Sequence, residues 1–190
     1  NPLAPAVISS TPAAFGCSDI VIMGDLALTI GFGWALYDIQ TPAAPVLRGG
    51  EDYPNYYSPE YAEGEFVEHG IVTDDRLVLI TDDYQRWGQW IYGDVRFMHH
   101  LWLRVIDVGD PAHPVVTAEA EIGTSTALPD LMVSGLDVDD DLAFAQGGDV
   151  PNIWTYDLTG GLSTPLQAFN PGVFAGGLLA APDRVLVAAA

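Results

Sequence analysis

The chain has 190 residues, with 6 basic and 26 acidic side chains, a formal charge of −20 and no lysine. That charge excludes nucleic acid as a partner, because phosphates are repelled and few cations are available to displace counterions, and it disfavours adsorption to anionic lipid. Hydrophobic residues make up 49%, too many for a disordered acidic tail; no uncharged apolar run approaches the roughly 18 residues of a membrane span, so no membrane insertion is expected in this segment, and the single Cys17 cannot close an internal disulfide.

In chain order, the first apolar stretch, at 5–9, reads as a lone strand. Short apolar runs follow at 19–23, 26–30, 34–39 and 45–48, then at 66–72, 77–81, 101–108 and 114–121, then at 131–138, 142–146, 153–158 and 165–169. Two last runs stand at 173–180 and 184–189. All are rich in Val, Ile, Leu and aromatics and are punctuated by Gly, Pro and Asp, which predicts strands joined by turns. No stretch carries three turns of amphipathic helical periodicity. Cys17, just before the first of these runs and with no base beside it, reads as a buried apolar thiol.

The runs repeat. Tyr37-Asp38-Ile39-Gln40-Thr41-Pro42-Ala43-Ala44-Pro45-Val46 aligns with Ile106-Asp107-Val108-Gly109-Asp110-Pro111-Ala112-His113-Pro114-Val115, and more loosely with Tyr156-Asp157-Leu158 through Thr164-Pro165-Leu166. Between these, hairpin signals recur around Asp25, Asp75, Asp141 and Asp183. A unit of about 42 residues with insertions lies in the range of propeller blades. One four-stranded blade cannot bury both faces, whereas similar blades stacked radially bury them between neighbours. The expected fold is therefore all-β, a partial β-propeller of four-stranded antiparallel blades, with a β-sandwich as the alternative. Its parts are an outer strand of a preceding blade in 1–14, a blade in 15–50, a blade with two insertions in 51–126, a blade in 127–170, and the first two strands of a further blade in 171–190.

The stretch Leu103-Arg104-Val105-Ile106-Asp107-Val108-Gly109-Asp110-Pro111-Ala112-His113-Pro114-Val115 resembles the LVIVD repeats of bacterial and archaeal surface β-propellers, and is similar to secreted proteins with a C-terminal β-propeller domain. The third unit departs from the pattern, with Gly160-Gly161-Leu162-Ser163 in place of the first Pro of the turn. The resemblance implies export and a role at the cell surface, and it carries no catalytic residue with it. The chain also opens inside one unit and stops inside another, so the remaining blades of the same precursor are expected partners.

Asp38, Asp107 and Asp157 each end a strand, where a carboxylate can accept from backbone N–H groups two residues on, as in an Asx-turn. The run Asp137, Asp139, Asp140, Asp141 has the clustered oxygens that calcium prefers. It has Leu142 and Gly148 where an EF-hand needs its Gly and Glu, so a solvated hairpin turn is the main reading. Asp137, Asp139 and Asp141 remain the metal candidates, calcium the ion, and no other cofactor is expected.

Both large insertions fall on one face of the expected disc. The first, 49–64, carries Tyr53, Tyr56, Tyr57 and Tyr61; the second, 82–100, carries Tyr84, Arg86, Trp87, Trp90, Tyr92 and Arg96. Long loops in a compact fold are often functional, and Tyr and Trp offer a large amphipathic contact area. These ten residues are the expected binding surface, for a protein or glycan at the cell surface; the competing reading is that the two loops pack on each other as a small core. His99 and His100 stand near Asp82 and Asp83 across the hairpin, but neighbours on a strand point to opposite faces and so do not share an ion. Gly-x-Ser-x-Gly, His-Glu-x-x-His, P-loop and dinucleotide motifs are all absent. The expected function is an exported, non-catalytic scaffold for binding or adhesion. The alternative is a hydrolase or lyase whose site, without a sequence motif, lies on the same face.

Overall fold

The computed structural model describes every residue except 1–6, 8, 54, 58–60, 74, 88–95, 111, 126–134, 147–151, 172–174, 182–183 and 190. The protein is all-β, and among the described residues no helix occurs. A first antiparallel sheet contains β1 (Cys17–Met23), β2 (Leu26–Gly31), β3 (Gly33–Asp38) and β4 (Val46–Asp52) in that order. A second contains β5 (Asn55–Tyr57), β6 (Tyr61–Thr73), β7 (Arg76–Trp87), β8 (Arg96–Asp107) and β9 (Val115–Ser125). The third consists of β10 (Gly135–Asp139), β11 (Leu142–Gln146), β12 (Ile153–Asp157) and β13 (Gln167–Phe169), and β14 (Ala175–Ala181) pairs with β15 (Arg184–Ala189) in a fourth. Every described sheet is a meander, each strand pairing with its neighbour in sequence.

Local chemistry explains the turns. Gly24 opens the two-residue β1–β2 turn at φ 57°, and Asp140 does the same between β10 and β11 at φ 52°. A positive φ at that place gives the turn the twist of the flanking strands. One hydrogen bond recurs in three sheets: Ile39 N–H donates to the Asp25 carbonyl at 2.7 Å, Val108 to Asp75 at 2.7 Å, and Leu158 to Asp141 at 2.8 Å. The strand-ending aspartates cap as expected. Asp38 accepts from Gln40 N–H at 2.9 Å, Asp107 from Gly109 N–H at 2.8 Å, and Asp157 from Thr159 N–H at 2.8 Å.

The sheets pack face to face in chain order. Leu28, Ile30, Trp34 and Leu36 of the first sheet share a core with Val67, Val72, Leu77, Leu79 and Ile106 of the second. On the second sheet's other face, Val78, Ile80, Leu101, Leu103 and Val105 meet Leu136, Ala143, Ala145 and Tyr156 of the third. Burial on both faces is why β7 and β8 read as continuous apolar runs such as Leu77-Val78-Leu79-Ile80 rather than as an alternation. Equivalent positions face the same way in each sheet. Leu77 and Ala143, each second after its turn aspartate, face the preceding sheet. The next residue along, Leu28 in the first sheet and Val78 in the second, faces the following one.

Three expectations change. The insertions at 49–64 and 82–100 are not loops where described: β4, β6, β7 and β8 run on through them as paired strands, with β5 added at the edge. Of the lone strand expected at 5–9, Val7 and Ser9 lie in irregular chain, and its other residues fall outside the described ones. Residues 9–15 instead cross the outer face of the first sheet, where Tyr37 Oη accepts from Ala14 N–H at 2.9 Å and Phe15 packs on Ala27, Ala35 and Tyr37. Finally, Cys17 is exposed, its Sγ 3.2 Å from the Asp19 carbonyl oxygen, because it sits at the bulged start of β1 beyond the packed part of the sheet.

Candidate functional site: the extended second sheet and its buried root

The β7–β8 hairpin pairs without interruption from Arg76 opposite Asp107 to Trp87 opposite Arg96. β6 follows β7 over the same length, from Thr73 opposite Arg76 to Tyr61 opposite Trp87. Three strands thus continue well past the level at which the other sheets end. Register sets Tyr61, Trp87 and Arg96 in one cross-strand row, Tyr57, Ala62, Arg86 and Phe97 in another, and Tyr56, Glu63, Gln85 and Met98 in a third. The side chains of Tyr56, Tyr57, Tyr61, Arg86, Trp87 and Arg96 lie outside the described residues, as do Trp90 and Tyr92 entirely. Tyr84 is half-buried, and its ring lies 6.3 Å from the His99 ring across the ladder.

Tyr53 belongs elsewhere. It is buried in the core between the first two sheets, with the Arg104 guanidinium 6.0 Å from its ring centroid. Burial above all pushes its phenol upward, and Glu51 adds to this. Arg104 is itself fixed by ion pairs with Glu65 and with Glu119, the latter at 3.5 Å. Tyr53 therefore supports the root of the extension and is not part of its surface.

Also at that root stands a buried polar cluster. His99 Nδ1 is 2.8 Å from Asp82 Oδ2, and Thr81 and Gln146 are buried near the same level of the sheets. Asp82 Oδ1 and Thr81 Oγ1 find no hydrogen-bond partner among the described residues. Burial first, then the Asp82 carboxylate, raises the Glu68 carboxyl above its ordinary value, with His99 pulling the other way. Glu68 sits at the bulge where the β6 register shifts between Val67 and His69. Both side chains are buried, His99 at 1% and Asp82 at 6% exposure.

The two neighbouring histidines diverge as strand geometry requires. His100 Nδ1 pairs with Glu121 at 2.6 Å on the exposed side. Asp83, opposite His100 in register, has its carboxyl raised by burial, with His100 opposing and Asp82 and Glu63 adding to the rise.

At the opposite end, where the turns are short, open clefts lie between sheets. One is lined by Leu26, Leu36, Asp38, Arg48 and Asp75, and another by Thr73, Arg76, Asp140 and Asp141. Asp141 is engaged by Arg76 at 2.6 Å, a bond that ties the third sheet to the second, and Asp137 accepts from Val138 N–H at 2.9 Å. Among the described residues no cluster of three or more His, Cys, Asp or Glu side chains could hold a metal ion. Nor does any helix of the described residues have the length and apolar character to cross a membrane.

The Asp82–His99 pairing was legible only as proximity across a hairpin; its burial was not. The Arg104–Tyr53 stacking had no sequence signal, since the two residues are remote in the chain. No family model, curated protein or solved structure matches this chain.

Proposed function

We propose that the chain is built as β-propeller blades and serves as an exported, non-catalytic scaffold for binding or adhesion at a cell surface. It engages a protein or glycan partner through the extended end of its second sheet. The blade reading draws support from the repeated turn, cap and hydrogen-bond pattern, from the resemblance to LVIVD repeats, and from sheets that stack in chain order through equivalent positions.

One observation carries the binding reading: β6, β7 and β8 continue as a paired ribbon beyond the packed core, with Tyr, Trp and Arg positions set opposite one another in register. A ribbon rooted by buried residues offers aromatic contact area at little ordering cost. Arg86 and Arg96 supply two of the six cations of an acidic chain, and so provide donors for carboxylate or hydroxyl groups of a partner.

The test is titration of the purified chain with a panel of neutral and acidic oligosaccharides and with solubilised cell-surface proteins, read by tryptophan fluorescence and calorimetry. A ligand whose affinity drops at least tenfold in Trp87→Ala and in Arg96→Ala, with unchanged melting temperature, supports the reading. Binding that survives both substitutions, or no binding across the panel, overturns it.

A further inference from the structure

The two clefts at the short-turn end are equivalent in the repeat, and they differ in whether a cation crosses them. Between the second and third sheets, Arg76 opens β7 opposite the strand-ending Asp107, and its guanidinium reaches Asp141 in the β10–β11 turn at 2.6 Å. Between the first and second sheets, the counterpart of Arg76 is Leu26, which opens β2 opposite Asp38. The counterpart of Asp141 is Asp75, whose carbonyl accepts the same recurring turn hydrogen bond. Leucine offers no charge to that carboxylate. Among the described residues, the ion pairing of Asp75 is limited to Arg76 Nε at 3.9 Å, and that guanidinium is engaged by Asp141. The first cleft has a volume of about 370 Å³, within the range of roughly 300–1,000 Å³ usual for small-ligand sites. Segment 9–15 crosses the opposite face of the first sheet, on Ala27, Ala35 and Tyr37, and so lies away from it.

We propose that the cleft between the first two sheets takes the guanidinium of an arginine carried by a partner polypeptide, in the place that Arg76 fills between the next two. Leu26, Leu36 and Val108 give apolar walls to the methylenes of such a side chain. Asp75 gives a charge-assisted acceptor. Its side chain is 70% exposed and accessible from solvent, while Val108 N–H, donating to its carbonyl at 2.7 Å, fixes its backbone. Arg48 also lines the cleft but is ion-paired with Asp38, so the carboxylate of Asp75 is the one charge of the lining left without a close partner. The planar fork of a guanidinium matches a carboxylate better than a compact ammonium does, and the charge of −20 attracts a cationic segment. The cleft is open at its rim, so a side chain can enter from a backbone that stays outside, as Arg76 enters its own cleft from β7. This site lies at the opposite end of the sheets from the ribbon and is independent of the ligand reading above.

The experiment is a methyl NMR titration of the purified chain with the capped peptide acetyl-Gly-Arg-Gly-amide. Its neutral citrulline analogue and methylguanidinium ion are titrated alongside. The arginine peptide is expected to move the methyl signals of Leu26, Leu36 and Val108, with an affinity in the millimolar range that weakens as salt screens the charge. Asp75→Asn is expected to lower that affinity about tenfold, the worth of one charge-assisted hydrogen bond. Its melting temperature is expected to stay unchanged, because the side chain is exposed and the turn bond uses the carbonyl. Asp19→Asn, which removes the same charge at the far end of β1, is expected to bind as wild type does. Leu26→Arg places a guanidinium on the chain itself and is expected to abolish binding. Absence of methyl shifts overturns the proposal, as does equal binding of the citrulline peptide or an affinity unchanged in Asp75→Asn. Methylguanidinium binding as tightly as the peptide overturns the assignment to a polypeptide partner.

Discussion

His99 Nδ1 and Asp82 Oδ2 lie 2.8 Å apart on adjacent strands, both out of solvent, at the point where the second sheet leaves the packed core. A buried hydrogen bond involving a carboxylate is worth about 1.5–3 kcal/mol, and removing one partner leaves the other desolvated. Asp82→Asn is therefore expected to lower the unfolding free energy by about 1–3 kcal/mol in urea titration. A variant as stable as wild type would show that the pair contributes nothing to the root of the ribbon.

Glu68, in the same cluster, holds its proton more tightly when folded than when unfolded, through burial and then the Asp82 charge. For a raised carboxyl the folded state binds more protons, so its contribution is most favourable below the unfolded value. It is lost as pH rises through the folded one. Glu68→Gln keeps the shape without the charge. Its melting temperature is expected to exceed that of wild type increasingly from mildly acidic to neutral pH. Parallel melting curves across that window would refute the assignment.

The aspartate caps act with the opposite sign. The Asp157 carboxyl is lowered by the Thr159 hydroxyl first and by backbone N–H groups after it. A lowered carboxyl adds stability that is present above the unfolded value and lost as pH falls through the folded one. Asp157→Ala is expected to lower the melting temperature at neutral pH and to shrink the difference from wild type in acid, whereas Asp157→Asn retains an acceptor for the turn. Equal effects of the two substitutions at neutral pH would rule out the capping role.

Gly70 stands where Ile20 stands in the first sheet, but its face is covered. A Cβ there would lie 2.6 Å from Leu28 Cδ2 and 3.0 Å from Leu79 Cδ2, both fully buried. Strand propensity favours Val at such a site, yet overpacking costs about 1–3 kcal/mol. Gly70→Val is expected to destabilise by that amount in thermal or urea unfolding. A stabilised variant would mean that the first two sheets are less closely packed than described.

The strands that frame the three complete sheets were legible because short apolar runs alternate with turn residues. Leu26 to Ile30 after Gly24-Asp25, and Leu142 to Gln146 after Asp140-Asp141, announce themselves within a few residues. The Asx caps of Asp38, Asp107 and Asp157 were legible for the same reason, since donor and acceptor are two residues apart. The strands that run through the second insertion were not legible, because pairing over that length depends on partners in β6 and β8 that no local window contains.

From the sequence alone came the strands and turns that frame the first three sheets, because backbone preference and hydrogen bonding between near neighbours decide those, whereas β5 and the lengthening of β6, β7 and β8 were not legible there. Which side chains are covered was decided by the tertiary structure. Tyr53 was expected at the surface and is buried beneath Arg104, while Ile20 and Ile22 have the alternation of a packed strand and remain open. Burial is a relation between sheets, and equivalent residues acquire different surroundings according to whether another sheet lies against them.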